Sequence, residues 1–468
     1  MTPVFDPMRL SAVSLDVLAA ARSGADAIAD RQRKRLARVV QGARRDSAFY
    51  REHLRDVSPD APLAALPVVN RRELMENFDR WVTDPSLTLA GLQAFTADPA
   101  RLAQAFQGRY VVWESSGTSG QPGIFVQDAQ AMAVYDALEA LRRDAPRPQL
   151  RWLDPLYLNE RIAFVGATGG HFASVVSIER LRQINPWMAR AVHSFSILQP
   201  LDRLVDQLNA FAPTVIATYP SAAAYLAEQS LADRFKARVR EVWTGGETLS
   251  PSVRRHIERS LGCTVRNSYG ASEFLTLGWE CGQGALHLNA DWAILEPVDA
   301  SGQPVAPGEL SDGCLLTHLA NSVQPLIRYD LGDQIRLRPQ PCACGSPLPV
   351  IEVQGRRDEP LVMRGLRGRR ITLLPMALTT VLEEEAGVFD FHVRQIDEHS
   401  LALRLPLSGE AATAAMARCR AALQAYAAGQ GMADLQVVSE TGEPMPLGRS
   451  GKACRVAAAQ RKGAHRPD

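Results

Sequence analysis

The sequence predicts an α/β protein with a large N-terminal domain and a small α+β C-terminal one, and three observations carry that expectation. At 468 residues the chain is too long for one ordinary domain. From about Arg161 to Val298, short β-type runs (Ile162 to Val165, Thr214 to Thr218, Glu241 to Trp243) alternate with helical segments (Ala222 to Gln229, Pro251 to Leu261), the pattern of layered α/β structure. After Gly355 the pattern restarts with a basic loop, a helix over Pro375 to Glu385, a strand over Leu401 to Leu405 and a helix over Glu410 to Ala428. The expected division is therefore residues 1–354 and 355–468.

Ahead of these elements, Ala25 to Leu54 is basic and amphipathic, with Leu36, Val39, Val40 and Ala43 at helical spacing, which predicts a solvated face over a buried stripe. Asn70 before Arg71 to Phe78 predicts an N-capped helix. Tyr110 to Trp113 predicts a strand that runs into a Ser- and Gly-rich stretch and then a second apolar run ending at Val126.

Composition narrows the function by exclusion. Fifty-two Lys and Arg nearly cancel 51 Asp and Glu, which removes the electrostatic argument for a nucleic-acid or anionic-membrane surface. Asp6, Arg9 and Asp16 interrupt the apolar pattern of Met1 to Leu18, unlike a secretory signal, and nothing approaches the roughly 20 apolar residues of a membrane span. Seven cysteines are too few and too unevenly spaced for a disulfide framework, so the expected setting is the reducing cytoplasm.

The strongest local signal is Glu114-Ser115-Ser116-Gly117-Thr118-Ser119-Gly120-Gln121-Pro122-Gly123. Its glycines let backbone N–H groups approach phosphate oxygens and its hydroxyls add donors, so by composition it is a phosphate cradle. It does not match GxxxxGK[ST], and Gln121 stands where a lysine would serve. A second constellation, Cys281, His287, Cys342 and Cys344, makes a Cys₃His set, the usual composition of a closed structural zinc site. The plainer reading of these cysteines is thiols packed as small hydrophobes.

The cradle resembles the SSGTTGKP phosphate loop of the adenylate-forming superfamily, and further motifs follow in that family's order. Thr244-Gly245-Gly246-Glu247 resembles its GGE turn, Tyr269-Gly270-Ala271-Ser272-Glu273 its YGxSE, and Arg328-Tyr329-Asp330-Leu331-Gly332-Asp333 its RYxTGD. Gly355-Arg356-Arg357-Asp358-Glu359 resembles the GRxDD hinge and Gly451-Lys452-Ala453-Cys454-Arg455 the terminal GKxxR. Ser47-Ala48-Phe49-Tyr50-Arg51 is similar to the "SPFYR" of the phenylacetate-CoA ligase-like branch, and Pro325 to Asp333 to its "P-IRY" wording. That branch also has members with an EC…H and CxCG cysteine pattern.

The resemblance implies a large multi-sheet adenylate-forming domain carrying the ATP and acid sites, and a small mobile lid bringing the catalytic lysine. Activating a carboxylate means bringing it to the α-phosphate of ATP, two anions that repel unless cations and donors neutralise them. By resemblance Ser115, Ser116, Gly117, Thr118, Ser119 and Gly120 hold phosphates, and Thr118 and Glu273 meet Mg²⁺. Gly246, Glu247, Tyr269 and Gly270 line the adenine side, Ser272 meets the α-phosphate, and Asp333 and Arg356 hold the ribose. Asp358 is the pivot, and Lys452 bridges carboxylate and α-phosphate in the transition state. His171, Tyr219, Pro220 and Gly245 are the expected acid-binding residues.

Two departures bear on the acceptor and the phosphates. Gln121 weakens the expected γ-phosphate contact, and Met363 to Arg370, rich in arginine, differs from the branch's RGxNVFP wording. The expected reaction is activation of an aromatic or arylacetic acid and transfer to CoA. An amine or a carrier-protein thiol is the alternative acceptor, and a non-catalytic nucleotide-binding homologue is a third reading, opposed by the joint retention of Glu273, Asp333 and Lys452. The expected partners are thus a small carboxylic acid, ATP, and CoA or a carrier protein, without nucleic acid or membrane, and with a homodimer compatible.

Overall fold

The computed structural model describes residues 4–115, 123–142, 160–354, 360–365, 368–388, 391–407, 409–441 and 455–458. Helices Pro7–Ala21 and Ala25–Asp46 lead in; Asp6 caps the first by accepting from the Met8 and Arg9 amides. The basic segment expected as one helix is interrupted at Ser47, whose hydroxyl accepts from the Tyr50 amide and starts a new helix, Ala48–His53. A serine at that point offers the backbone a local bond that competes with helix continuation. Asn70 caps Arg71–Glu76 as expected, and Asn77 then separates it from Phe78–Trp81.

The strands β1 (Val111–Glu114) and β2 (Ile124–Gln127) pair antiparallel and flank the Ser/Gly-rich segment. A nine-stranded sheet follows. Its parallel half contains β3 (Ile162–Gly166), β4 (Val192–Ser196), β5 (Val215–Thr218), β6 (Glu241–Thr244) and β7 (Thr264–Tyr269), in the spatial order β4-β3-β5-β6-β7. Helices Ala173–Ile184, Leu201–Phe211, Pro220–Leu231 and Pro251–Leu261 make the crossovers. Because the chain passes from β3 to one neighbour and then back to the other, the connections leave β3 and β5 on opposite sides, opening a crevice at their carboxyl ends.

Beyond β7 the sheet turns antiparallel through β8 (Gly278–Glu280) and β9 (Leu286–Leu288). The strands β10 (Ala293–Val298), β11 (Gly313–His318) and β12 (Tyr329–Asp330) form a separate three-stranded sheet, and β13 (Gln334–Leu337) and β14 (Val350–Gln354) complete the large one. After residue 360 come the pair β15 (Leu361–Arg364) and β16 (Arg370–Leu373), then a four-stranded sheet of β17 (His392–Gln395), β18 (Ser400–Leu405), β19 (Gln436–Thr441) and β20 (Val456–Ala457), backed by helix Gly409–Gly429. Helix Pro375–Thr380 widens into a π-helical turn over Val381–Glu385.

This C-terminal module joins its apolar residues to those under the parallel half, Leu373 and Leu378 lying in one cluster with Leu226 and Ile216. Single side chains cross the seam. The Gln430 amide oxygen accepts from the Leu201 backbone at 3.1 Å, its NH₂ donates to the Gln199 carbonyl at 2.9 Å, and Arg369 pairs with Asp202.

The N-terminal core is pinned by buried charge. Arg142 forks onto Asp291 through Nη1 at 2.7 Å and Nη2 at 2.5 Å, and Nη1 also donates to Asn289 at 2.6 Å. Nearby, the buried Arg35 bonds the Asp291 carbonyl and Asp16 and stands 3.4 Å from the Trp292 ring centroid. A buried carboxylate stripped of its guanidinium retains its desolvation cost with nothing to offset it. Arg142→Ala is therefore expected to destabilise the protein by about 3 kcal/mol or more, read as a lower denaturation midpoint in urea; an unchanged midpoint would contradict this role for the pair.

Candidate active site

The motif residues gather at the carboxyl ends of β3, β5, β6 and β7, beside the base of the β1–β2 connection. Pleated strands present backbone and side chains of their last residues at one sheet edge, so segments far apart in sequence meet there. The Ser115 amide donates to the Gly123 carbonyl at 2.8 Å and the Gly123 amide returns a bond to Ser115 Oγ at 2.9 Å. These two bonds pinch the Ser/Gly-rich segment closed at its base. The Glu114 amide donates to the His171 carbonyl at 2.8 Å, tying that base to the segment after β3. Ser116, Gly117, Thr118, Ser119, Gly120, Arg356, Asp358 and Lys452 lie outside the described residues.

At the end of β7, Gly270 must be glycine, because a Cβ there would stand 2.0 Å from the Leu275 carbonyl oxygen. The turn it allows directs Tyr269 to one side and Glu273 to the other. Tyr269 donates its hydroxyl to Asp333 Oδ2 at 2.7 Å, so the residues expected at adenine and ribose are in direct contact. Burial first, and then the Asp333 carboxylate, push that hydroxyl well above its ordinary pKa, which keeps it a neutral donor. The Ser272 carbonyl accepts from Trp113 Nε1 at 2.8 Å, which locks the turn to β1.

Glu273 is buried, and its Oε1 accepts from the Tyr329 hydroxyl at 2.7 Å and from Arg71 Nη2 at 3.1 Å. Burial opposes the charge on Arg71, but the fields of Tyr329 and Glu273 outweigh it and raise the guanidinium's pKa. Arg71 Nη1 is buried without a hydrogen-bond partner among the described residues. Nothing in the sequence singled out Arg71, although a cation in the first turn of a helix, where the dipole favours anions, is a local inconsistency that distant partners resolve.

Other expected residues take different stations. Glu247 accepts from the Ser221 amide and hydroxyl, each at 2.9 Å, and so serves the first turn of helix Pro220–Leu231, which Pro220 begins. The Tyr219 ring lies against Gly246, and Gly245 against Ser268. Burial pushes the Tyr219 hydroxyl up to about 12. His171 is buried, with its ring 5.8 Å from that of Phe95 and turned to the carbonyls of Arg101 and Thr96. Burial lowers its pKa, with Glu114 opposing, so the ring is neutral at pH 7. Arg328 is spent on the Ala64 and Leu66 carbonyls and on Glu296, anchoring the N-terminal layer.

The Cys₃His set is assembled about the β8–β9 turn. The ligand atoms of Cys281, His287, Cys342 and Cys344 all lie within 4.8 Å of one another. The Cys281 and Cys342 sulfurs are 3.8 Å apart, far beyond a disulfide, and about the edge of a tetrahedron with metal–sulfur arms of roughly 2.3 Å. His287 spends Nδ1 on the Leu348 carbonyl at 2.9 Å, leaving Nε2 toward Cys344 Sγ at 3.3 Å, with Trp279 stacked on its ring. A second bond that fixes the ring's orientation is what metal-ligating histidines use, so the donor set fits zinc.

Residues 186–317 match the family model for AMP-binding enzyme, a span that includes the turns after β5, β6 and β7. The phenylacetate-coenzyme A ligase of Thermus thermophilus is 32% identical over 181 residues, 35% of this chain and 39% of that protein. That of Pseudomonas putida is 28% identical over 176 residues, again 35% and 39%. The chain thus matches well under half the length of these curated relatives. Among solved structures, 2-hydroxyisobutyryl-CoA ligase in complex with 2-HIB-AMP and CoA in the thioesterification state superposes with a TM-score of 0.60 at 21% identity, covering 94% of this chain and 91% of that one. The same ligase in its postadenylation state gives 0.56 at 19% identity, covering 95% and 91%.

The fold is that of the CoA ligase structures above, residues 186–317 carry the AMP-binding match, and the likeness to the phenylacetate-coenzyme A ligases extends over about a third of the chain. Among the described residues, no helix is long and apolar enough to cross a membrane.

Proposed function

We propose that the chain uses ATP to convert a carboxylic acid, aromatic or arylacetic, to its acyl-adenylate and passes the acyl group to CoA, releasing AMP and pyrophosphate. The observation that carries this reading is the convergence of Tyr269, Asp333 and Glu273 beside the pinched base of the Ser115 segment. In this reading Tyr269 gives an aromatic ring for adenine and Asp333 a carboxylate for two ribose hydroxyls. Mg²⁺, when bound, would offset phosphate charge, and Glu273, oriented by Tyr329 and Arg71, is the residue that would hold it. Arg71 adds a resident positive charge beside Glu273.

Lys452 is the cation proposed to meet carboxylate and α-phosphate together, which requires the module after residue 355 to move about Asp358. Such a movement would part the apolar cluster that Leu373 and Leu378 share with Leu226 and Ile216, together with the bonds of Gln430 and Arg369. CoA as acceptor is supported by the names of the relatives. Replacing Lys452 with alanine is expected to slow acid-dependent pyrophosphate release by about 100-fold or more while AMP still binds, measured over a panel of aromatic acids with and without CoA. Full activity in that variant would defeat the reading, and acid-dependent release without thioester would transfer it to another acceptor, a carrier-protein thiol or an amine.

We further propose that Cys281, His287, Cys342 and Cys344 hold a structural zinc ion that ties the β8–β9 turn to the loop before β14. Four protein ligands leave no open position, so the ion has no part in the reaction. Purified protein is expected to carry about one zinc per chain by plasma mass spectrometry, and Cys344→Ser to lose it with a lower melting temperature. Metal-free protein whose melting is indifferent to added Zn²⁺ would refute the site.

A further inference from the structure

Three of the described carboxylates around the crevice are committed to side-chain or backbone partners, whereas one without such a partner among the described residues comes from the C-terminal module. Glu247 is held by Ser221, Glu273 by Tyr329 and Arg71, and Asp333 by Tyr269. His171, the imidazole nearest the phosphate-loop base, faces Phe95 and backbone carbonyls. Glu384 differs. It projects from the π-helical turn Val381–Glu385 onto the segment after β3, where a Cβ on Gly169 would lie 2.8 Å from its Oε2 and one on Gly170 3.1 Å from its Oε1. Two successive glycines thus make the room that its carboxyl fills, at the point where the sheet's connections diverge. The residue remains solvent-exposed.

We propose that Glu384 accepts the proton of the incoming nucleophile during acyl transfer, an inference that rests on the adenylate-forming reading above. In that step the thiol S–H proton passes to a Glu384 oxygen as sulfur attacks the acyl carbon. The new C–S bond forms, the bond from the acyl carbon to the bridging phosphate oxygen breaks, and AMP leaves with that oxygen. The exposed side of Glu384 then returns the proton to water.

The surroundings suit a base that works near neutrality. Partial burial, Glu383, Glu385 and, across the crevice, Glu114 raise its carboxyl to about 7, and Tyr219 also faces it. Glu383 is itself paired with Arg455 at 2.6 Å, which fixes the turn that presents its neighbour. Position on the module matters as well, because movement about the hinge would deliver or withdraw Glu384 together with the rest of that turn.

The sign of the linkage gives a readout independent of turnover. A carboxyl raised in the folded state above its ordinary value of 4.5 contributes stability that is complete below about 4.5 and lost as pH rises through about 7. Glu384→Gln should therefore melt higher than wild type above pH 7 and no differently at pH 4.5.

The functional test supplies synthetic phenylacetyl-AMP and CoA in single turnover, so that transfer is measured whether or not the enzyme makes its own adenylate. Wild-type transfer is expected to rise with pH through a limb near 7. Glu384→Gln should lose that limb and slow transfer about 10- to 100-fold more than it slows pyrophosphate release, with Glu384→Asp intermediate. Transfer in Glu384→Gln at the wild-type rate and pH profile, equal slowing of both half-reactions, or no enzymatic transfer by wild type would each overturn the proposal. Absence of acid-dependent pyrophosphate release beside normal transfer would count against the activation reading and leave this assignment standing.

Discussion

The hydrogen bond from Tyr269 to Asp333 is the contact on which the site depends, because it closes the parallel half of the large sheet onto the segment that leads back into its antiparallel half. With both groups half-buried, a neutral donor bound to a carboxylate is worth more than the same pair fully exposed. Around that contact the other parts have little freedom. Gly270 permits the turn, Trp113 holds the Ser272 carbonyl, and Trp113 in turn belongs to the strand that ends at Glu114, next to Ser115. A nucleotide entering this edge would meet groups already oriented, so little of its binding energy would be spent on ordering them.

The two ends of the crevice are built differently. The described residues at the end with Tyr269, Asp333 and Glu273 come from the first 354 residues and are held by one buried and two part-buried bonds. The end near Gly169 and Tyr219 is completed by Glu384 from the C-terminal module, whose apolar residues join the cluster under the parallel half. An end built by the first 354 residues and an end finished by the C-terminal module suit a reaction in which the nucleotide stays while the second reactant changes.

Much of the fold was legible in the sequence, because it rests on local signals. Alternating short β-runs and helices from Arg161 to Leu261 gave the parallel half, and Asn70 gave a cap. The breaks at Ser47 and Asn77 were missed, since an amphipathic stripe continues through them while a single side-chain-to-backbone bond decides the helix end. The switch from parallel to antiparallel pairing after β7 has no residue signature. It follows from chain return over distances that periodicity does not encode. Motif positions identified Tyr269, Asp333 and Glu273, yet their partners Arg71 and Tyr329 lie some 200 and 56 residues from Glu273 in the chain. Likewise Glu247 looked like part of the nucleotide turn, and only the fold reveals its bond to a helix start. Side-chain direction and long-range pairing, rather than element type, were what the sequence left open.

The central claim is that a carboxylate oxygen of the acid becomes bonded to the α-phosphorus of ATP. Supplying the acid with both carboxylate oxygens as ¹⁸O tests this directly, because cleavage of the acyl-adenylate leaves its bridging oxygen on the nucleotide. The account predicts AMP carrying one ¹⁸O by mass spectrometry. Unlabelled AMP, or label recovered in inorganic phosphate alongside ADP, would contradict it.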